Sequence, residues 1–119
     1  MSKANILVVD DQDSIRHFVV KALEEDGFTV QSTASVRETR ELIERDMPDL
    51  VLLDLKLPDG TGLELLREIK RLQPEVSVIM MTAFGELETA VEAMSSGAFW
   101  FVKKPFQTDE LLALMARAL

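Results

Sequence analysis

The sequence predicts an α/β fold: a single doubly wound, five-stranded parallel sheet with five helices on its two faces. Three observations predict it. Runs of branched aliphatic residues recur at Ile6–Val9, Leu50–Leu53, Val76–Met81 and Phe99–Val102, with a weaker fifth at Phe28–Val30. These runs do not alternate with polar residues, as expected of strands buried on both faces. Segments with three- and four-residue apolar spacing separate them, giving the order β-α-β-α-β-α-β-α-β-α, and strict alternation implies parallel strands joined by right-handed crossovers.

Each element carries its own signals. The first helix is read from Ile15, Phe18, Val19, Ala22 and Leu23, with Asp11 or Asp13 as its cap and Gly27 as its stop. The second runs from Val36 to Ile43, with Ser35 as N-cap and Glu38 three residues on in capping-box spacing. Pro58-Asp59-Gly60 marks a turn before the third helix, Leu63 to Leu72, which Pro74 closes. Leu87, Ala90, Val91 and Met94 define the fourth helix, with Gly97 as its stop. Leu111 to Leu119 form the fifth, with Thr108 or Asp109 as cap. Met80, Met81, Met94 and Met115 fall in apolar patterns and read as core or interface filler, whereas His17, opposite the apolar stripe of the first helix, reads as a solvated residue.

The 119 residues suit one domain, with no internal repeat or linker. There are no cysteines, which excludes a disulfide scaffold, a cysteine zinc site and a thiol nucleophile. Thirteen basic against twenty-one acidic residues give a net charge of −8, the wrong sign for direct contact with nucleic acid. The apolar runs are too short to cross a membrane or to form a signal sequence, so a cytoplasmic location is expected.

In such a sheet, ligands bind beyond the carboxyl ends of the strands. Asp10 and Asp11 follow the first run, Asp54 the run Leu50–Leu53, Thr82 the run Val76–Met81, and Lys103, Lys104 and Pro105 the last. A single aspartate after a strand is most often a cap. Caps alone do not bring a hydroxyl and an ammonium to the same rim. Two carboxylates about 4 Å apart repel by roughly 4 kcal/mol at an effective dielectric of 20. A cluster of Asp10, Asp11 and Asp54 must therefore be offset by protonation, by Lys104 or by a divalent cation. Hard oxygen donors without histidine or thiol favour Mg²⁺, with Mn²⁺ or Ca²⁺ as substitutes. A carboxylate, a hydroxyl, an ammonium and such a cation together suit a phosphoryl group, with Asp54 as the nucleophile.

With these residues in place, the chain resembles the receiver domain of bacterial two-component response regulators. The resemblance is carried by Ile6-Leu7-Val8-Val9-Asp10-Asp11, Leu52-Leu53-Asp54-Leu55-Lys56-Leu57-Pro58, Gly62, Met81-Thr82-Ala83 and Lys104-Pro105-Phe106. It spans residues 1–119 as one phosphoacceptor domain. It implies a flavodoxin-like sheet of strand order 2-1-3-4-5, an order taken from the resemblance. It also implies that Asp54 accepts a phosphoryl group from a sensor histidine kinase. Asp11, Asp54 and the main-chain carbonyl of Lys56 would bind Mg²⁺, and Asp10 would hold metal-bound water or assist directly. Thr82 and Lys104 would contact the phosphoryl oxygens, and the Lys104–Pro105 bond would be cis. Thr82 and Phe101 would form a switch that shifts the surface of the fourth helix, fifth strand and fifth helix. Phe101 stands where tyrosine is common, so a hydroxyl contact is lost while a rotamer switch is retained. Of Phe99 and Trp100, alternation predicts one buried and one partly exposed. Thr61 stands where many relatives have aspartate, and its loop is given no special role.

The stretch from Thr82-Ala83-Phe84-Gly85 through Met94 resembles the NtrC type, which implies an output outside this chain: a sigma-54 ATPase domain and a DNA-binding domain, for transcriptional control. The resemblance also leaves room for a homodimer, and implies no enzyme beyond the domain's own phosphorylation and dephosphorylation. Two rival classes fit less well. An aspartyl phosphatase wants a second aspartate two residues after the nucleophile, where this chain has Lys56. A flavin or nucleotide carrier wants a glycine- or hydroxyl-rich phosphate loop after the first strand, where this chain has Asp10-Asp11-Gln12-Asp13. A degenerate receiver that never takes phosphate is the nearer alternative, and the complete acid set with Thr82 and Lys104 argues against it.

Overall fold

A computed structural model describes residues 3–83 and 86–119. Five parallel strands form one sheet: β1 (Asn5–Val9), β2 (Thr29–Thr33), β3 (Leu50–Asp54), β4 (Ser77–Thr82) and β5 (Trp100–Lys103). Their spatial order is β2-β1-β3-β4-β5, so the chain reverses direction across the sheet between β1 and β3. Helices α1 (Asp13–Glu25), α2 (Val36–Arg45), α3 (Gly62–Leu72), α4 (Leu87–Ser95) and α5 (Thr108–Ala118) complete the alternation. Lys56–Leu57 and Gly60–Thr61 add a small antiparallel hairpin, with Pro58 and Asp59 at its turn.

Period-two geometry explains why the strands lack polar alternation. Ile6, Val8, Leu50, Leu52, Ile79 and Met81 point to one face, where Val19 and Leu23 of α1 and Leu111 and Met115 of α5 cover them. Leu7, Val9, Val51, Leu53, Val78 and Met80 point to the other, against Leu42 and Ile43 of α2, Leu65, Leu66 and Ile69 of α3, and Ala93 of α4. Both faces are buried, so both registers must be apolar. Each fully buried aliphatic side chain contributes about 1.5–3 kcal/mol, which leaves the rim of the sheet free to carry polar groups. Met80, Met81 and Met115 lie in the core, Met94 packs against it, and His17 is exposed.

The punctuation holds with three exceptions. Gly27 and Gly97 follow α1 and α4 at φ +96° and +108°, which favours glycine. Ser35 caps α2, accepting from Glu38 N–H at 3.1 Å. At α1, however, neither Asp11 nor Asp13 caps: Gln12 is the N-cap residue and its side chain makes no capping bond. Asp13 instead pairs with Arg16 one turn on, and Asp10 accepts from Gln12 N–H at 2.9 Å. At α5, Gln107 takes the N-cap position, and Thr108 and Asp109 already lie in the first turn. Thr61, whose loop has no special role by sequence, caps α3 by accepting from Glu64 N–H at 3.3 Å.

Phe99 and Trp100 are both exposed, at 38% and 48%, rather than one buried and one not. β5 is an edge strand with a neighbour on one side only; Trp100 is its first residue and Phe99 lies just before it. Phe84 and Gly85, part of the NtrC-like stretch, lie outside the described residues.

Candidate functional site

The carboxyl ends of β1, β3, β4 and β5 place Asp10, Asp11, Asp54, Thr82 and Lys104 along one rim. Asp10, Asp11 and Asp54 each offer a carboxylate oxygen, all within 4.8 Å of one another. Asp10 is fully buried, Asp54 is 8% exposed, and Asp11 faces solvent. Lys104 reaches in from the other side, with Nζ 2.7 Å from Asp10 Oδ2 and 3.2 Å from Asp54 Oδ2. The Lys104–Pro105 bond is cis.

Electrostatics divide these groups. Burial pushes the Asp54 carboxyl up to about 6, the Lys104 ammonium opposes this, and the Asp10 charge adds to it. A main-chain hydrogen bond from Lys56 favours the ionised form. Burial works against the Lys104 charge as well. The Asp10 hydrogen bond and the charges of Asp54 and Asp10 outweigh that burial and raise its pKa. One ammonium against three carboxylates leaves the cluster electron-rich. Three hard oxygen donors, one exposed to admit an ion, fit a small divalent cation. Asp10, Asp11 and Asp54 are the side chains that would hold it.

Thr82 is 4% exposed, and its hydroxyl donates to Val102 O on β5 at 3.4 Å, a long bond. The Lys56 side chain is exposed and lies 3.7 Å from Glu86, whose carboxylate accepts from Ala83 N–H at 2.6 Å. Phe101 is half-buried, stacks on Trp100 with ring centroids 5.6 Å apart, and packs against the core layer that includes Ala93. Phe101 is thus set back from the carboxylates, in the sheet edge beside them.

Three supporting residues carry little signal in the sequence. Arg16 donates to Asp10 O at 2.8 Å and so holds the loop carrying the two acids; its spacing from Asp13 was the available signal. Glu86 and Asp59 act through main-chain amides, and the amides that Asp59 engages are more than twenty residues away. In the sequence, Gly62 reads only as part of a motif. A Cβ there would stand 2.1 Å from the Asp54 carbonyl oxygen, so no other residue fits without moving the site.

A family model, the response regulator receiver domain, matches residues 6–116. The chain belongs to the response regulator receiver domain family. This receiver domain is 41% identical over 119 residues to the response regulator protein PilR of Pseudomonas aeruginosa, covering 100% of the chain and 27% of that protein. It is 40% identical to the DNA-binding transcriptional regulator NtrC of Proteus hauseri, covering 100% of the chain and 25% of NtrC. The crystal structure of the receiver domain of NtrX from Brucella abortus superposes with a TM-score of 0.91 at 40% identity, covering 96% of this chain and 97% of that one. The receiver domain thus spans about a quarter of the length of the curated relatives it matches. Among the described residues, no helix is long and apolar enough to cross a membrane.

Proposed function

We propose that this receiver domain accepts a phosphoryl group on Asp54 from a phosphohistidine of a sensor histidine kinase, in a Mg²⁺-dependent reaction, and that the modification resets the surface of α4, β5 and α5. The observation that carries this reading is the convergence of three carboxylates with the Lys104 ammonium at one rim of the sheet.

The chain's residues divide the work. An Asp54 carboxylate oxygen forms the bond to phosphorus as the phosphorus–nitrogen bond of the donor breaks, and the departing imidazole keeps the electron pair and takes a proton from solvent. Lys56 N–H and Lys104 Nζ orient the Asp54 carboxylate before transfer. Lys104 is then positioned to follow the new negative charge, since it already bridges Asp10 and Asp54. Asp10, Asp11 and Asp54, with the Lys56 main-chain carbonyl, would hold Mg²⁺, which would neutralise charge on the phosphoryl oxygens. The domain acts once on itself, as nucleophile and catalyst, and is not a turnover enzyme.

The switch follows from a weak bond. Phosphorylation adds about one negative charge and strong acceptors to Asp54. The Thr82 hydroxyl holds Val102 O at only 3.4 Å, so a phosphoryl oxygen is the stronger acceptor. Movement of Thr82 frees space beside β5, into which Phe101 turns, and the population of the α4–β5–α5 surface shifts. Leu87 and Val91 of α4 and Trp100 of β5 are exposed on these elements and supply apolar area for the response. Since the relatives include a DNA-binding transcriptional regulator, the output is transcriptional, through sigma-54 ATPase and DNA-binding domains outside this chain, in the cytoplasm.

Intact-mass measurement after incubation with acetyl phosphate tests the reading. A gain of one phosphoryl group is expected with Mg²⁺ and not with chelator, and no gain in Asp54→Asn. Equal labelling with chelator would refute the metal requirement.

A further inference from the structure

The turn residue Asp59 bonds far outside its own hairpin. Its Oδ1 accepts from Val36 N–H at 2.8 Å and its Oδ2 from Arg37 N–H at 3.0 Å. Both are first-turn amides of α2, which have no acceptor inside the helix. A carboxylate suits the positive end of a helix, and the Val36 and Arg37 amides hold the Asp59 carboxyl below its ordinary range. α2 has a cap of its own: Ser35 Oγ accepts from Glu38 N–H, and Glu38 Oε1 reaches back to Ala34 N–H at 3.0 Å.

The hairpin that follows Asp54 is therefore fastened at two points. At its base, Gly62 N–H donates to Leu55 O at 2.8 Å, in the close approach to the Asp54 carbonyl. At its tip, Asp59 clamps α2, and Gly60 lies so near Val36 that a Cβ would come within 3.0 Å of Val36 Cγ2. Lys56 sits between these fastenings, two residues past Asp54 and paired with Thr61 across the hairpin.

We propose that Asp59 is a positioning residue for the cation site: by tying the hairpin tip to α2, it fixes where the Lys56 main chain lies relative to Asp10, Asp11 and Asp54. The inference rests on the reading of the acid cluster as a Mg²⁺ site. It departs from that reading in assigning part of the affinity to a contact between a turn and a helix that holds no cation.

A comparison of Asp59→Ala, Asp59→Asn and Ser35→Ala in the full 119-residue chain tests it. Each variant weakens acceptors at the first turn of α2, but only the Asp59 variants free the hairpin. Urea unfolding reports the structural cost, and titration with MgCl₂ alone, followed by calorimetry and by the Lys56 amide resonance, reports the site. All three variants are expected to unfold at lower urea. Asp59→Ala is expected to weaken Mg²⁺ binding by about tenfold, the low end for residues that orient metal ligands, and to displace the Lys56 amide in the metal-free spectrum. Asp59→Asn, which keeps one acceptor oxygen, should lose less, and Ser35→Ala should bind as the wild type does. Equal Mg²⁺ affinity in Asp59→Ala and Ser35→Ala would overturn the positioning role. Equal losses in the Ala and Asn variants would trace to charge alone and overturn it too. A wild type without saturable Mg²⁺ binding would overturn this role together with the cation-site reading.

Discussion

The Lys104 ammonium lies 2.7 Å from the carboxylate of Asp10, a residue with no solvent exposure that is ninety-four positions away in sequence. A buried carboxylate without a partner is costly, so this contact joins the last strand to the first and also prepares the site. Substituting Lys104→Met should lower the unfolding free energy by about 3 kcal/mol, because one buried charge loses its partner. Denaturant unfolding checks this, and added Mg²⁺ should restore part of the loss by supplying the missing positive charge.

The Asp54 carboxyl, pushed up to about 6 by burial, binds its proton more tightly in the folded than in the unfolded chain. Its contribution to stability is therefore fully present below about pH 4 and is lost as pH rises through about 6. Asp59 and Glu68 behave oppositely. The Val36 and Arg37 amides lower the first and the Arg40 hydrogen bond lowers the second, so their contributions are lost only as pH falls below the ordinary carboxylate range. Between these windows, the metal-free wild type should gain stability on acidification from pH 7 to 5 relative to Asp54→Asn. At pH 7, Asp54→Asn should be the more stable by about 1–2 kcal/mol, discounted for water at the open rim. Melting scans at several pH values check this, and saturating Mg²⁺ should flatten the difference between pH 5 and 7.

Gly62→Ala would place a methyl carbon 2.1 Å from the Asp54 carbonyl oxygen. The obstacle is backbone, which no side-chain rotamer relieves. Destabilisation of about 3 kcal/mol is expected, the upper end for an overpacked site, together with weaker Mg²⁺ binding. Urea unfolding and metal titration of the variant check both effects.

The long bond from Thr82 to Val102 predicts a separation of stability from switching. Thr82→Val should cost under about 1 kcal/mol in unfolding free energy. It should also diminish the chemical-shift changes that beryllofluoride with Mg²⁺ produces in α4 and β5. Amide spectra of both proteins, with and without the mimic, make the comparison.

The sheet was legible because both of its faces are buried. Runs such as Leu50–Leu53 have no polar face to hide them, and the residues that follow each run name the rim. The acid cluster was legible for the same reason, since Asp10, Asp11 and Asp54 directly end strands that pair in register. What escaped is long-range and acts through the main chain. Asp59 reads locally as the centre of a Pro-Asp-Gly turn, and nothing near it announces the α2 amides it caps. At α1 the cap reading failed because Asp13 lies inside the helix and pairs with Arg16, and at α5 it failed because the helix starts earlier than read, with Thr108 and Asp109 in its first turn. Alternation failed at Phe99 and Trp100 because it presumes that one face is covered there, and both side chains are exposed where the edge strand begins.

Locating the phosphoryl group tests the central claim most directly. Acetyl phosphate and Mg²⁺ should convert Asp54 to an acyl phosphate, which borohydride reduces to homoserine, and peptide mass spectrometry then reads the position. The account predicts homoserine at residue 54 and nowhere else. Homoserine at Asp10 or Asp11, phosphate retained on His17, or an unmodified chain would contradict it.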